Sequence, residues 1–121
     1  MEAKELAIKI AKILYDKKAM DIDVLQVGHR TVITDYLVIA SGRSFPQVRS
    51  LMDEVEDKLA EEQIFPARKE GMQEARWGVI DYNYVMVHIF HKQDRELYKL
   101  DALWADADNK VDLGFEQNEE E

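Results

Sequence analysis

The sequence predicts an α/β fold, a mixed β-sheet with flanking helices. Three observations predict it: an opening stretch whose apolar residues recur at three- and four-residue spacing, the segment Tyr36-Leu37-Val38-Ile39-Ala40 that is apolar at every position, and two strand-like segments in close succession later in the chain. In chain order the pattern reads helix, strand, strand, helix, strand, strand, helix. Elements interleaved in this way bury their apolar faces by layering helices on a sheet.

The first helix is expected over residues 3–17, where Ala3, Leu6, Ala7, Ile10, Ile13 and Leu14 fall on one face and Lys and Glu fill the other. A strand over 22–27 follows, rich in β-branched residues, and Gly28-His29-Arg30 breaks it. The apolar run at 36–40 lacks alternation, which places it inside the sheet with both faces covered. Ser44 can cap the next helix, Pro46 is tolerated in its first turn, and Gln47 stands where a capping box needs it. That helix runs to about residue 63 on the stripe Val48, Leu51, Met52, Val55 and Leu59, and Pro66 closes the connection that follows. Strands at 76–81 and 84–90 share a short joint at Tyr82-Asn83, which predicts an antiparallel hairpin with Asn at positive φ. The strand-helix-strand unit from Tyr36 through Arg76 can supply one parallel pair. A last helix over 93–105 carries Leu97, Tyr98, Leu100, Leu103 and Trp104.

Bulk properties bound the function. The 121 residues suit a single domain, expected over 1–106, with 107–121 an acidic, flexible tail. No cysteine is present, so disulfides, thiolate metal sites and a cysteine nucleophile drop out. The absence of a long apolar run or a transit-peptide pattern leads us to expect a cytoplasmic protein with no membrane contact. The net charge is −9, from 25 acidic against 16 basic residues, and four acids (Glu116, Glu119, Glu120, Glu121) lie near the end. A protein that wraps nucleic acid needs surplus Lys and Arg to displace counterions from phosphates, so little direct nucleic-acid contact is expected. A basic protein surface is the better match.

Enzymatic signals are weak. Asp21-Ile22-Asp23 puts two carboxylates on one side of a strand, as in metal-dependent nucleotidyltransferases. In those enzymes a Gly-Ser loop precedes the acidic strand, whereas here Ser41-Gly42 follows it. Asp81 could be a third acid, but an Asp ending a strand more often orders a turn. His88 and His91 are three apart on a predicted strand and point to opposite faces, so they cannot share a metal. No cofactor and no metal are expected. The aromatic residues Trp77, Tyr82, Tyr84 and Trp104 are more telling. Two long helices and one short one cannot cover both sheet faces, and aromatic residues on an open face are typical interface anchors. The alternation in Trp77-Gly78-Val79-Ile80-Asp81 gives one face an aromatic, an aliphatic and an acid, a mixture suited to an interface.

Several stretches, in order, resemble the ribosomal silencing factor (Iojap-like) family. They are Asp21-Ile22 leading into Val24-Leu25-Gln26-Val27; Ile33-Thr34-Asp35-Tyr36-Leu37-Val38-Ile39-Ala40-Ser41-Gly42 with Ser44 and Gln47-Val48; Glu70-Gly71; Trp77 with Asp81-Tyr82; Val87-His88-Ile89-Phe90-His91; and Arg95-Glu96 with Tyr98, Leu100 and Leu103-Trp104. Arg43, Tyr84 and Asp101 depart from the pattern. The resemblance implies a nucleotidyltransferase-like topology without a working active site. It also implies a non-enzymatic translational repressor that binds large-subunit ribosomal protein fourteen and sterically blocks joining of the small and large subunits. A homodimer is a further implication, and a metal-dependent nucleotidyltransferase relative with residual activity is the alternative. The expected partner surface is Thr34, Asp35, Tyr36, Trp77, Asp81 and Tyr82, with His88 of the last strand motif.

Overall fold

The computed structural model describes residues 1–71, 73–106, 108–115 and 117. Helix α1 (Ala3–Asp16) buries Leu6, Ala7, Ile10, Ala11 and Leu14, the stripe that its periodicity requires. The Glu5 carboxylate caps its start by accepting the Glu2 N–H at 3.1 Å. Lys18, at φ 69°, turns the chain out of the helix into β1 (Met20–Gln26). β1 starts with a bulge: the register slips between Met20 and Asp23, and Asp21 takes up φ 50°.

β2 (Tyr36–Gly42) is buried along nearly its whole length. Helix α2 (Phe45–Ala60) begins with Ser44, whose hydroxyl accepts the Gln47 N–H at 3.1 Å. The Gln47 carboxamide oxygen accepts from the N–H of Arg43, one residue before the position that a capping box predicts. The chain then forms β3 (Arg68–Glu70), β4 (Trp77–Asp81) and β5 (Val85–His91), and ends its regular structure in α3 (Lys92–Tyr98) and α4 (Leu100–Trp104).

The five strands make one mixed sheet in the order β1-β2-β5-β4-β3. β2 and β5 are parallel, and every other neighbouring pair is antiparallel. The parallel partner of β2 is therefore β5 and not the strand that begins after Arg76. A central strand must be covered on both faces. Val85, Val87, Ile89 and Phe90 of β5 meet that demand, whereas Trp77, Val79 and Asp81 of β4 stay partly exposed. The hairpin itself is as expected, with Asn83 at φ 74° and its N–H donated to the Asp81 carboxylate at 2.8 Å.

Three further features differ from the sequence reading. β3 is a three-residue edge strand of exposed Arg, Lys and Glu, which offers no apolar alternation to detect. The last helix is two helices, because Lys99 adopts φ 53° between them. The C-terminal segment, expected to fray beyond Asp106, lies along the outer edge of β1 over its described residues. Gln26 N–H donates to the Asn109 carbonyl and Val111 N–H to the Val24 carbonyl, both at 2.8 Å. The Gln117 carboxamide exchanges two hydrogen bonds with the backbone of Ile22, at 2.7 and 2.8 Å, and Phe115 packs on Tyr15. An edge strand has unpaired N–H and C=O groups, and these contacts satisfy them. Ala107, Glu116 and residues 118–121 lie outside the described residues, so the acid-rich end of the expected tail is among them.

The two faces of the sheet are covered unequally. α1 and α2 close one face over Ile22, Val24, Val38, Ala40, Ile80, Val87 and Ile89. α2 can sit close because position 78 is glycine: a Cβ there would come within 2.0 Å of the Met52 sulfur. The other face carries Leu25, Leu37, Ile39 and Phe90, with the two short helices α3 and α4 and partly exposed Trp77, Met86 and Trp104. No helix among the described residues is long and apolar enough to cross a membrane.

Candidate docking face and the polar cleft beside it

β4 and β5 build the centre of the less covered face. Strand alternation brings Trp77, Val79 and Asp81 of β4 onto the same side as Met86, His88 and Phe90 of β5. The Trp77 ring stacks on Phe90 with centroids 4.8 Å apart and meets Tyr98 of α3 at 4.9 Å. The indole N–H donates to Nδ1 of His88 at 3.0 Å. Trp77 is thus half-buried, held on one side by an aromatic platform and open on the other. Leu97, Tyr98 and Leu103 on the short helices, and Val32 and Ile33 in the loop before β2, are exposed apolar side chains.

His88 is buried, and its removal from water lowers its pKa to about 4. The imidazole is therefore neutral near pH 7. His91 packs against Phe45 at the start of α2 with tilted rings, 4.6 Å between centroids, so the two histidines do lie on opposite faces.

The expected partner residues divide between the faces. Trp77, His88 and Asp81 share the open side. Asp81 pairs with Arg68 of this chain at 3.2 Å and orders the hairpin turn, as the turn reading has it. Thr34 is buried, its hydroxyl donating to the Tyr36 carbonyl at 3.3 Å, and it lines a cavity shared with His88. Asp35 is exposed in the loop before β2, and its carbonyl accepts from Val27 N–H. Tyr82 is buried in the core under the long helices, and Tyr36 packs against that same core. Burial, and then the nearby Glu56 charge, push the Tyr82 hydroxyl pKa up. Tyr36 and Tyr82 therefore do not share a surface with Trp77. Residue parity explains the split: Tyr82 begins the turn after β4, and its ring swings back under α2 instead of continuing the Trp77 row. Phe90 and Tyr98, which hold Trp77 in place, were not among the expected residues. Phe90 was findable from its two-residue spacing to His88.

A polar cleft of about 700 Å³ lies beside this face, between β1, α3 and α4. Its centre is Arg95, whose nearly buried guanidinium donates to Asp101 at 2.8 Å, to Asp23 and the Ser41 hydroxyl at 3.0 Å, and to the Asp21 carbonyl. Lys110 reaches the other Asp23 oxygen at 3.2 Å. Burial alone would raise the Asp101 carboxyl, but the hydrogen bond and charge of Arg95 outweigh it and hold the group below the usual carboxylate range. The two candidate metal-binding acids differ in their partners. Asp23 is paired twice, and Asp21 sits on the bulge with its carbonyl engaged.

Sequence and structure comparisons agree with this architecture. The chain matches the family described as "Ribosomal silencing factor during starvation" over residues 1–121. It is 39% identical to the ribosomal silencing factor RsfS of Bacillus subtilis over 104 residues, covering 86% of this chain and 87% of that protein. It is 30% identical to the chloroplastic protein Iojap of Arabidopsis thaliana over 115 residues, 95% of this chain and 48% of that longer protein. A crystal structure from Chromobacterium violaceum superposes with a TM-score of 0.82 at 30% identity, covering 93% of this chain and 96% of that one. A second, from Bacillus halodurans, gives 0.74 at 33% identity, covering 90% and 95%. With the motifs, the sheet order and the whole-length match in agreement, the chain belongs to the ribosomal silencing factor family.

Proposed function

We propose that the chain is a non-enzymatic translational repressor of the cytoplasm that binds the large ribosomal subunit through ribosomal protein fourteen and sterically blocks joining of the small subunit. The observation that carries this reading is the open sheet face. Trp77 is braced by Phe90 and Tyr98 but left half-exposed, and Leu97 and Leu103 of the short helices and Val32 and Ile33 of the loop before β2 are further exposed apolar side chains. A braced aromatic residue loses little conformational freedom on binding, which makes it an efficient anchor. The acidic balance of the chain suits a basic protein partner, and complementary charge speeds the encounter. A steric block needs neither cofactor nor metal. A homodimer formed through the same apolar face would compete with the ribosome for it.

The pairing of Asp23 with Arg95 and Lys110 supports the non-enzymatic reading, since a nucleotidyltransferase needs such carboxylates free for metal ions. Co-sedimentation with purified large subunits tests the proposal. The protein is expected to sediment with them at low salt, to associate more slowly as salt rises, and to reduce formation of joined ribosomes in a light-scattering assay. Failure to sediment at low salt overturns it. Magnesium-dependent incorporation from a labelled nucleotide, abolished by Asp23→Asn, would favour the enzymatic alternative.

A further inference from the structure

The two short helices of the open face cannot hold themselves in place. α3 has 7 residues and α4 has 5, and an isolated helix below ~12–15 residues is marginal in water. Apolar burial does not fix them either. α1 buries Leu6, Ala7, Ile10, Ala11 and Leu14, and α2 an equally long stripe. The buried side chain of α3 is Asp94, and α4 has none. Leu100, Trp104 and Ala105 rest only partly against the sheet.

Polar ties take the place of that burial, and Arg95 of α3 is at their centre. Its side chain is only 10% exposed, and its guanidinium reaches three other elements. Nη2 donates to Asp101 of α4 at 2.8 Å and to Asp23 of β1 at 3.0 Å. Nη1 donates to the Ser41 hydroxyl of β2 at 3.0 Å and to the Asp21 carbonyl. Nε adds a second bond to the same Asp101 oxygen at 3.3 Å. A smaller tie secures the far end of α4, where the buried Asn109 carboxamide donates to the carbonyls of Trp104 at 2.9 Å and Gln26 at 3.1 Å. The rigid fork of an arginine suits several fixed bonds at once, which a lysine cannot reproduce. Loss of Arg95 would therefore free α3 from β1, β2 and α4 in one step. Asp23 would keep Lys110, and the core beneath α1 and α2 is built from other residues.

We propose that Arg95 is the positioning residue of the docking face: its bonds hold α3 and α4 on the sheet in the arrangement that binds, and without them the pair lifts away. The inference rests on the docking reading above and deepens it. Lifting removes Tyr98 from the Trp77 ring, 4.9 Å away, and carries off Leu97 and Leu103. Arg95 itself touches no partner. It acts by keeping the docked arrangement populated, and the apparent affinity falls in proportion to that population.

The test uses the full chain carrying Arg95→Gln, Arg95→Lys or the milder Asp101→Ala, which removes only the tie to α4. Hydrogen exchange compares the amides of Lys99, Ala102, Leu103 and Ala105, all bonded within the short helices and their junction, with the amides of α1 and α2. Co-sedimentation reads the affinity for purified large subunits. In Arg95→Gln the short-helix amides are expected to exchange at least ~10-fold faster while those of α1 and α2 change little, and a docked fraction near one tenth weakens binding about 10-fold. Arg95→Lys should fall between Arg95→Gln and wild type. Saturating isolated ribosomal protein fourteen should slow the exchange of the loosened helices again, since binding selects the docked arrangement. Exchange that rises equally along the whole chain would make Arg95 an ordinary stabilising residue and overturn the proposal. Local loosening with unchanged affinity also overturns it, and leaves Trp77 docking without the helices. So does exchange that stays at the wild-type rate. If Arg95→Gln fails to fold, Asp101→Ala decides by the same two readouts. Wild-type protein that fails to bind subunits removes the docking reading itself, and this proposal with it.

Discussion

The two faces of one sheet follow different rules in this protein. Under α1 and α2 the strands present mainly Ile, Val and Ala, fully buried. On the opposite side the same strands present Trp, Phe, His, Met and paired acids, and the cover is two short helices separated by a left-handed residue. Long helices with continuous stripes exclude water and maximise apolar burial. Short helices leave aromatic residues half-covered, with hydrogen-bonding groups held in fixed positions beside them. The closed face holds most of the buried apolar core, and the open face holds the residues to which we assign recognition. Substitutions that separate stability from binding test this division directly.

The largest effect is expected on the closed face. Leu14 is fully buried between α1 and the sheet, so Leu14→Ala should lower the unfolding free energy by ~2–5 kcal/mol through lost transfer energy and a residual cavity. Chemical denaturation reads this loss. Whatever fraction remains folded should bind large subunits with unchanged affinity, and an altered affinity would show that the faces are mechanically coupled.

The next effect belongs to the open face and is read by pH. His88 has a folded pKa of about 4, below its ordinary value of 6.5. Between those values the unfolded chain binds more protons than the folded one, so stability is fully present above about pH 6.5 and falls as pH drops toward 4. The difference corresponds to on the order of 3 kcal/mol, lost across that window. Protonation at Nδ1 would also break the bond from Trp77. Urea titrations from pH 7 to pH 4 should show the slope for wild type and a flatter one for His88→Phe; equal slopes would assign the acid sensitivity to other groups.

Trp77→Ala sharpens the comparison because Trp77 belongs to both descriptions. It is half-buried, so the stability loss should fall below the ~3–5 kcal/mol typical of a fully buried Trp or Phe. The binding loss should be at least ~2 kcal/mol, about thirtyfold, if the exposed half is the anchor. Thermal melting and co-sedimentation on the same protein separate the two. A variant that melts early yet binds normally when folded would make Trp77 a core residue.

What was legible in the sequence tracks these same physical differences. The closed face was readable because burial by long helices imposes strict periodicity on Leu6, Ile10 and Leu14, and on Val48, Leu51 and Val55. Trp77 stood out because its strand mixes aromatic, aliphatic and acidic residues on one side. Tyr82 was grouped with it only by proximity in sequence, and the chain turns at that point, taking the ring into the core. β3 carries no pattern, since an exposed edge strand of Arg, Lys and Glu is chosen for solubility and pairing rather than burial. The Arg95 cluster joins residues up to 74 positions apart, Asp21 and Asp23 among them, and no local spacing encodes such contacts. The C-terminal segment pairs with β1 through backbone bonds and one carboxamide, which composition alone reads as loose polar chain.

The smallest expected effect concerns the break between α3 and α4, the feature that most distinguishes the open face from the closed one. Lys99 closes α3 in the left-handed region, at φ 53° and ψ 44°, with its N–H donated to the Arg95 carbonyl. A residue with a Cβ costs roughly 1–2 kcal/mol there relative to ordinary backbone, whereas glycine does not. Glycine also enlarges the freedom of the unfolded chain, which offsets about 0.4–1 kcal/mol of the gain. Lys99 is exposed and contributes no hydrogen bond through its side chain among the described residues. Lys99→Gly should therefore stabilise the protein by a few tenths to ~1 kcal/mol, raising the melting temperature by roughly 1–5 °C for a domain of this size. Binding to large subunits should be unchanged, because the turn that places Leu100 and Trp104 against the sheet is preserved. A lower melting temperature would mean that the lysine side chain holds α4 in place, and weaker binding at equal stability would mean that the stiffness of this junction, beyond its shape, is what the partner reads.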